Sequence, residues 1–359
     1  MTSVTQGIDV DVSELVNELD EAGEERLYQS LKHFWHPVMF ADELGDDPHG
    51  VILLDQTLAI ARLNGKVHAF YDLCMHRGAA ISLGEVEDGC IRCPYHGWKY
   101  DATGQCVEIP SRPQLTRLPH AKLTPFLCEE RYGIIWVSLT DTPYFDIPEL
   151  HQWDDPQFRF MRGPVTEWKC ASPRRLENYV DFGHFSWVHD GYLGSRESPE
   201  VIDHDVSMED GEMRVHQTVH EPVTGKFKAH LGSAGEMITA QNHYRVFLPH
   251  AVNLDRHFDG GGRYILFMAP SPVGRKQTRS FWYIGRNYAT EPEYDAEFLD
   301  FELQILEQDK PIVESQRPEQ LPLDLTKELH IKVADKISLN YRRALIRIAD
   351  ELAPTTEEG

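Results

Sequence analysis

No run of apolar residues in this sequence approaches the roughly 18 that a membrane-crossing helix requires, so no membrane span is expected. Basic residues are scarce. Thirty-five Lys and Arg stand against 58 Asp and Glu among 359 residues, a net charge of −23, and a nucleic-acid partner, which needs a basic footprint, is excluded. The first thirty residues lack both a basic start and an apolar stretch, so no signal peptide is expected and the chain reads as cytoplasmic. Six cysteines in such a chain do not suggest a disulfide framework; their spacing points to metal chemistry for two and burial for the rest. There is no internal repeat, and no Gly-x-Gly-x-x-Gly stretch that would bind a dinucleotide.

What is present is ordinary globular composition, 41% hydrophobic and 26% charged, in a chain long enough for two cores. The charge is uneven. Residues 1–60 carry thirteen acidic and two basic side chains, whereas residues 62–122 carry eight basic against six acidic. A less acidic module on an acidic protein either steers an acidic partner to one face or is ordinary solvated charge.

Periodicity predicts an amphipathic helix over 11–33, with Leu15, Leu19, Leu27 and Leu31 among acids. From His33 the pattern becomes short alternating runs, Val51–Leu54, Leu58–Leu63 and Val67–Tyr71, punctuated by Asn64-Gly65, Asp88-Gly89 and Thr103-Gly104. That is the pattern of a small β domain built from hairpins, closing on Gly133–Leu139. A linker is expected from Asp141 to Pro156. A helical stretch at Arg174–His189 follows, then strands at 213–220, 237–247, 263–269 and 278–288, a helix from about Pro292, and a last helix over Val333–Leu352. Strands followed by helices indicate an α+β architecture, divided into an acidic segment 1–33, a β domain 34–143 and a second domain 144–359.

Two segments carry one thiol and one imidazole each: Cys74-Met75-His76-Arg77-Gly78 and Cys93-Pro94-Tyr95-His96-Gly97-Trp98. Loops of this kind at hairpin tips can clamp a [2Fe–2S] cluster, two Cys on one iron and two His on the other. A zinc site from Cys90, Cys93, His76 and His96 is an alternative, as is burial without metal. Cys90, Cys106, Cys128 and Cys170 read as small core residues. The stretch from His33-Phe34-Trp35-His36-Pro37-Val38 through Cys93–Trp98 resembles the Rieske domain of the ring-hydroxylating and demethylating oxygenases. Glu130–Val137 is similar to the strand that closes that domain.

In Glu177–His189 two histidines, His184 and His189, stand five apart. A regular helix would turn them about 140° from each other, so they share a metal only if the helix widens or breaks between them, at Gly183 or Ser186. Asp181 lies three before His184, on its face, where a carboxylate can orient a ligating imidazole. In the following helix the apolar stripe Phe298, Phe301, Ile305, Ile312 includes Asp309. A buried carboxylate is costly unless neutralised or bound to a metal, and His184, His189 and Asp309 would make a two-His-one-carboxylate iron site. Asp309 could instead cap a helix turn before Pro311, and Glu307 and Glu314 are rival ligands.

Asn178, Asp181, His184 and His189 match position for position the mononuclear iron motif of the same Rieske oxygenases, and Glu307–Gln316 resembles the segment that supplies its carboxylate. The resemblance runs from about His33 to Leu352 and is weakest over 200–290. It implies a helix-grip-like catalytic domain, an antiparallel sheet flanked by helices. It implies a homotrimeric head-to-tail ring in which Asp181 bridges His96 of a neighbour to His184, with Asn178 close to the iron. Electrons would come from a separate reductase or ferredoxin, for O₂-dependent hydroxylation of a small organic substrate. The ends resemble the demethylating branch (caffeine, dicamba and vanillate demethylases), which implies loss of formaldehyde from an N- or O-methyl group. Ring cis-dihydroxylation or hydroxylation of a larger scaffold such as a steroid is the alternative, and a pure electron-transfer protein is a third reading. Tyr244, Phe247, Asn253, Phe267 and Trp282 are the candidates for the substrate pocket.

Overall fold

The computed structural model describes residues 21–115, 120–223 and 228–352. Half of the helix expected over 11–33 therefore lies outside the described residues; its second half forms α1 (Glu21–Ser30), followed by a short turn over Leu31–His33. Ten short strands come next: β1 (His36–Phe40), β2 (His49–Leu53), β3 (Gln56–Leu63), β4 (Lys66–Tyr71), β5 (Glu85–Glu87), β6 (Cys90–Arg92), β7 (Lys99–Tyr100), β8 (Cys106–Glu108), β9 (Pro125–Arg131) and β10 (Ile134–Ser138). They form two antiparallel sheets, one ordered β1-β10-β9-β4-β3-β2 and one ordered β5-β6-β7-β8. Asn64-Gly65 joins β3 to β4 and Asp88-Gly89 joins β5 to β6, each pair with positive φ at both positions, the twist that matches a tight hairpin.

The second half holds β11 (Arg159–Arg162), β12 (Thr166–Trp168), α2 (Ser172–Val180), α3 (Phe185–Val188), β13 (Asp205–Glu209), β14 (Glu212–Pro222), β15 (Met237–Phe247), β16 (Ala251–Phe258), β17 (Arg263–Gly274), β18 (Gln277–Arg286), α4 (Asp295–Ser315) and α5 (Lys336–Glu351). The strands make one antiparallel sheet, β11-β18-β17-β16-β15-β14-β13, with β12 also on β18. The architecture is thus α+β, with an all-β first part and a helix-flanked antiparallel sheet in the second. No helix among the described residues is long and apolar enough to cross a membrane.

Strand alternation gives the large sheet two faces. Val246, Val252, Leu254, Leu266, Met268, Trp282 and Ile284 point toward α2 and α4 in the main core. Ala251, Phe267, Ala269, Phe281 and Tyr283 point the other way and pack against Phe40, Ile134 and Trp136 of the first part, with Ile147 and Leu150 of the helix-free connecting segment between them. Strand β16 went unread in the sequence because Asn253, Asp255 and Arg256 break its apolar pattern, yet seven of its eight residues are buried. Ion pairs explain this for the charged ones: Arg256 meets Glu221 at 2.6 Å, and Asp255 pairs with Arg263.

Helix α2 carries the first half of the His-rich segment and is clamped from behind. Arg342 of α5 donates to both carboxylate oxygens of Glu177, at 2.6 and 2.8 Å, and Arg174 donates to Glu328 at 3.0 Å. Glu177 and Arg342 are buried, so removing either partner would strand a charge at a cost of about 3–5 kcal/mol. The clamp ties α2 to α5.

Candidate metal centres and substrate cavity

The two Cys/His loops are near copies of one turn. In each, the cysteine N–H donates to the carbonyl five residues on, Cys74 to Ala79 and Cys93 to Trp98, both at 2.8 Å. The N–H of the following glycine returns to the cysteine carbonyl, from Gly78 at 2.8 Å and Gly97 at 3.1 Å. Both glycines have φ near +70°, a conformation a side chain would strain. The sulfurs are buried and adjacent. The Tyr100 hydroxyl lies 3.2 Å from Cys74 Sγ, and burial pushes the Cys93 thiol up, against backbone N–H groups of Tyr95 and His96 that favour the thiolate.

The imidazoles stand on the outer side. His76 and His96 meet edge to face at 4.4 Å, and Trp98 stacks on His76 at 4.5 Å. His76 Nδ1 is buried without a hydrogen-bond partner, as a metal-ligating nitrogen would be. A single zinc would draw four ligand atoms together, yet among the described residues three or more His, Cys, Asp or Glu ligand atoms converge within 4.8 Å only at His184, His189 and Asp309. Cys90 sits apart, among Asp88, Arg92, Lys99 and Asp101. A sulfur pair and an imidazole pair without a common centre fit the two irons of a [2Fe–2S] cluster, and the zinc alternative fails. All six cysteines are unpaired; Cys106 and Cys170 are buried as expected, whereas Cys90 and Cys128 are half-buried, and burial pushes the Cys128 and Cys170 thiols up to about 12.

The second centre depends on a break in the helix expected over 174–189. Helix α2 stops at Asp181, whose backbone turns extended and whose Oδ1 accepts the Gly183 N–H at 2.8 Å. The chain restarts as the single turn α3, with His184 just before it and His189 just after. The regular-helix angle between the two imidazoles therefore never applies, and their rings lie 5.1 Å apart. The third member comes from α4, which continues through Pro311 to Ser315, so Asp309 caps nothing. Val313, not Ile312, completes the buried face: Ile312 is 52% exposed. Glu307 is exposed, and Glu314 accepts the Lys169 N–H, so neither rival reaches the centre.

Asp309 Oδ1 lies 3.4 Å from His184 Nε2 and 3.0 Å from His189 Nε2. His189 Nε2 nonetheless makes no hydrogen bond, the state of a nitrogen aimed at a shared cation. Burial alone would lower His184, but Asp181 and Asp309 raise it to about 9. Burial would raise the Asp309 carboxyl, but the two imidazoles and Arg175 hold it well below the usual carboxylate range. The far side of each ring is also held. Asp181 Oδ2 faces His184 Nδ1 at 3.4 Å, and Gln308 Oε1 meets His189 Nδ1 at 2.7 Å. Asn178 Nδ2 donates to Asp309 Oδ1 at 3.4 Å, while its own carbonyl accepts from Arg175, whose guanidinium lies 4.1 Å over Trp168.

Gln308 and Arg175 were not singled out in the sequence. Only the position of Gln308, next to the candidate ligand, hinted at it. Gln308→Leu removes the acceptor that leaves His189 Nε2 free for metal, and iron affinity is expected to fall roughly 10–100-fold, read by equilibrium dialysis with the cluster spectrum unchanged. Retention of wild-type affinity would assign Gln308 to packing.

A cavity of about 430 Å³ opens beside this centre, lined by Phe182, Phe185, Leu254, Met268 and Ile305 among others. Of the five pocket candidates, Tyr244 and Trp282 line it. Phe247, Asn253 and Phe267 do not. They lie on the opposite face of the sheet, one residue out of phase, where Phe267 is wholly buried against the first part. With a period of two, an error of one residue exchanges faces.

Residues 34–119 match the Rieske [2Fe-2S] domain, and residues 168–351 match the vanillate O-demethylase oxygenase C-terminal domain. The chain is 34% identical to methylxanthine N3-demethylase NdmB of Pseudomonas putida, over 87% of this chain and 88% of that one. It is 27% identical to the dicamba O-demethylase oxygenase component of Stenotrophomonas maltophilia, over 79% and 87%. The structure of Pseudomonas putida NdmA with caffeine superposes with a TM-score of 0.79 at 29% identity, covering 93% of this chain and 99% of that one. Oxygenase components of this kind act on small substrates with electrons from reductase or ferredoxin partners. On the two matched domains and the near full-length relatives, the chain belongs to the Rieske non-haem iron oxygenases, O₂-dependent oxidoreductases that carry a [2Fe–2S] cluster and a mononuclear iron.

Proposed function

We propose that this chain is the terminal oxygenase of a demethylase in which Cys74, His76, Cys93 and His96 hold the cluster and His184, His189 and Asp309 hold the iron. When bound, these groups supply one-electron storage and O₂ activation, which side chains cannot. The chain's own residues position and exclude. Asp181 and Gln308 turn the two imidazoles so that both Nε2 atoms face Asp309. Phe182, Leu266, Met268 and Trp282 keep the substrate end of the cavity dry and press a methyl carbon toward that corner. An N- or O-methyl group, O₂, two electrons and two protons give one water and a hydroxymethyl group, which then breaks to formaldehyde and the demethylated product. The electrons come from a separate reductase, alone or with a ferredoxin, since the sequence holds no dinucleotide motif. The chain works in the cytoplasm as a head-to-tail homotrimer on a small aromatic or heterocyclic substrate.

One observation carries the reading: paired Cys/His loops and a converged two-His-one-Asp set that opens on an apolar cavity occur in one chain. The N- and O-demethylases among its relatives favour methyl oxidation over ring dihydroxylation. The test is turnover of N-methyl and O-methyl aromatics with a surrogate reductase, scored by O₂ uptake and formaldehyde. One formaldehyde per O₂ is expected. A diol or stable alcohol without formaldehyde would transfer the chain to ring or scaffold hydroxylation.

A further inference from the structure

The large sheet has a second face with a chemistry of its own. Gln217, Asn242, Tyr244 and Arg256 turn toward the cavity, so their chain neighbours His216, His243 and His257 stand on the opposite face, away from the iron ligands. His216 on β14 and His243 on β15 are direct cross-strand partners. His243 in turn faces Asp255 on β16, and His257 lies two residues further along that strand. The three imidazoles form a row across three strands. The ring centroids of His216 and His243 lie 4.8 Å apart, and so do those of His243 and His257.

The nitrogens in this row are placed as ligands. His216 Nδ1 and His243 Nδ1 approach to 2.7 Å, so one carries a proton and the other a lone pair. Two nitrogens held by one zinc at 2.0–2.1 Å in a tetrahedral set lie roughly 3.3 Å apart, so the pair must open by only about half an ångström. The proton between them moves from Nδ1 to Nε2 of its own ring, a tautomer change that releases no proton. Asp255 Oδ1 stands 3.1 Å from His257 Nε2, which leaves Nδ1 of that ring to ligate. An outer carboxylate behind a ligating imidazole fixes the ring and raises its basicity. Asp255 is itself held, by Arg263 and by Gln152 at 3.3 Å. His257 flanks His243 on the side away from His216 and joins the pair by rotation of a side chain that is 43% accessible.

The row is also electrically ready. Burial, His257 and His216 hold His243 below the usual histidine range, with Arg263 acting in the same direction and Asp255 against it. Neutral imidazoles suit Zn²⁺, Cu²⁺ and Ni²⁺, whereas Mg²⁺ and Ca²⁺ take oxygen ligands. We propose that His216, His243 and His257 bind a divalent transition-metal ion of the zinc class, which ties β14, β15 and β16 together on the face of the sheet remote from the cavity.

The probe is Zn²⁺ alone, titrated calorimetrically into the holoenzyme, with zinc and iron counted on the desalted protein. One zinc per chain is expected, with the iron count unchanged. His216→Gln and His243→Gln together should weaken the binding roughly tenfold or more, and His257→Gln alone roughly tenfold, the lower end of what the loss of an outer partner costs a metal site. All three side chains are exposed or half-buried, so the variants should melt like the wild type without metal. Zinc should raise the melting temperature of the wild type and not that of the double variant, because the site exists only in the folded sheet. Zinc that enters only as iron leaves, or that binds the double variant as tightly as the wild type, overturns the site. Undiminished affinity in His257→Gln overturns it as well.

Discussion

In the proposed head-to-tail trimer, equal amounts of Cys93→Ser and His184→Ala chains are expected to recover roughly a quarter of wild-type turnover, from ring symmetry alone, although each variant by itself is dead. A Cys93→Ser chain keeps His184, His189 and Asp309 but loses a thiolate of the cluster loops; a His184→Ala chain has the reverse defect. In a head-to-tail ring every interface is directional. One is productive only where an intact pair of loops faces an intact iron-ligand set, a chance of one half times one half. The side chains that would meet across such an interface lie at the surface: His96 is exposed, and Asp181 keeps 37% of its side chain accessible. Each mixed ring holds one productive interface of three, so doubly tagged trimers purified after co-expression should show roughly a third of wild-type coupled O₂ uptake, against roughly a quarter for the unfractionated mixture. Verified mixed trimers without activity would show that electrons do not pass from one chain's loops to the next chain's iron ligands.

Asp181→Asn is expected to retain both metals and lose turnover by roughly 10–100-fold or more. The geometry isolates the charge and the acceptor from the turn. Asp181 Oδ1 accepts the Gly183 N–H, and an asparagine carbonyl can do the same, so the break that separates α2 from α3 should survive. Asp181 Oδ2 faces His184 Nδ1; an amide N–H₂ there would oppose an N–H and could no longer hold the ring or raise its basicity. Iron content and the cluster spectrum report whether the metals stay, and turnover reports the role. Full activity would reduce Asp181 to a turn former. Loss of iron together with activity would instead make it a support of the ligand set only.

Much of this was legible before any coordinates, and the reason differs from site to site. The Cys/His loops could be read because their ligands are two or three residues apart, a spacing local backbone can satisfy, with glycines where a turn requires them. His184 and His189 were legible as a pair, and the need for a break between them followed from helix geometry, though its place did not. Gly183 and Ser186 were the expected sites, but Asp181 ends the helix by accepting the Gly183 N–H, a side-chain contact with no periodic signature. Asp309 stood out as an acid on an apolar stripe, yet the stripe was misread at its end, where Ile312 is exposed and Val313 is buried.

The cavity wall was legible only in part, at Tyr244 and Trp282. Phe247, Asn253 and Phe267 look as suitable as Tyr244 and Trp282 in a strand whose both faces are buried, because hydrophobicity no longer distinguishes them. Strand β16 was hidden for the opposite reason, since charges that are neutralised across strands look like loop when read along the chain. The sequence by itself determined the chemistry of this protein: which residues are fit to ligate, the α+β order of its elements and the absence of a dinucleotide motif. Tertiary structure alone brings Asp309 rather than Glu307 or Glu314 to the histidines, sets Gln308 against His189 and turns one strand face toward the cavity. Those choices join residues up to 131 positions apart, as Asn178 and Asp309 are, and strand parity and helix packing, not spacing along the chain, bring such residues together.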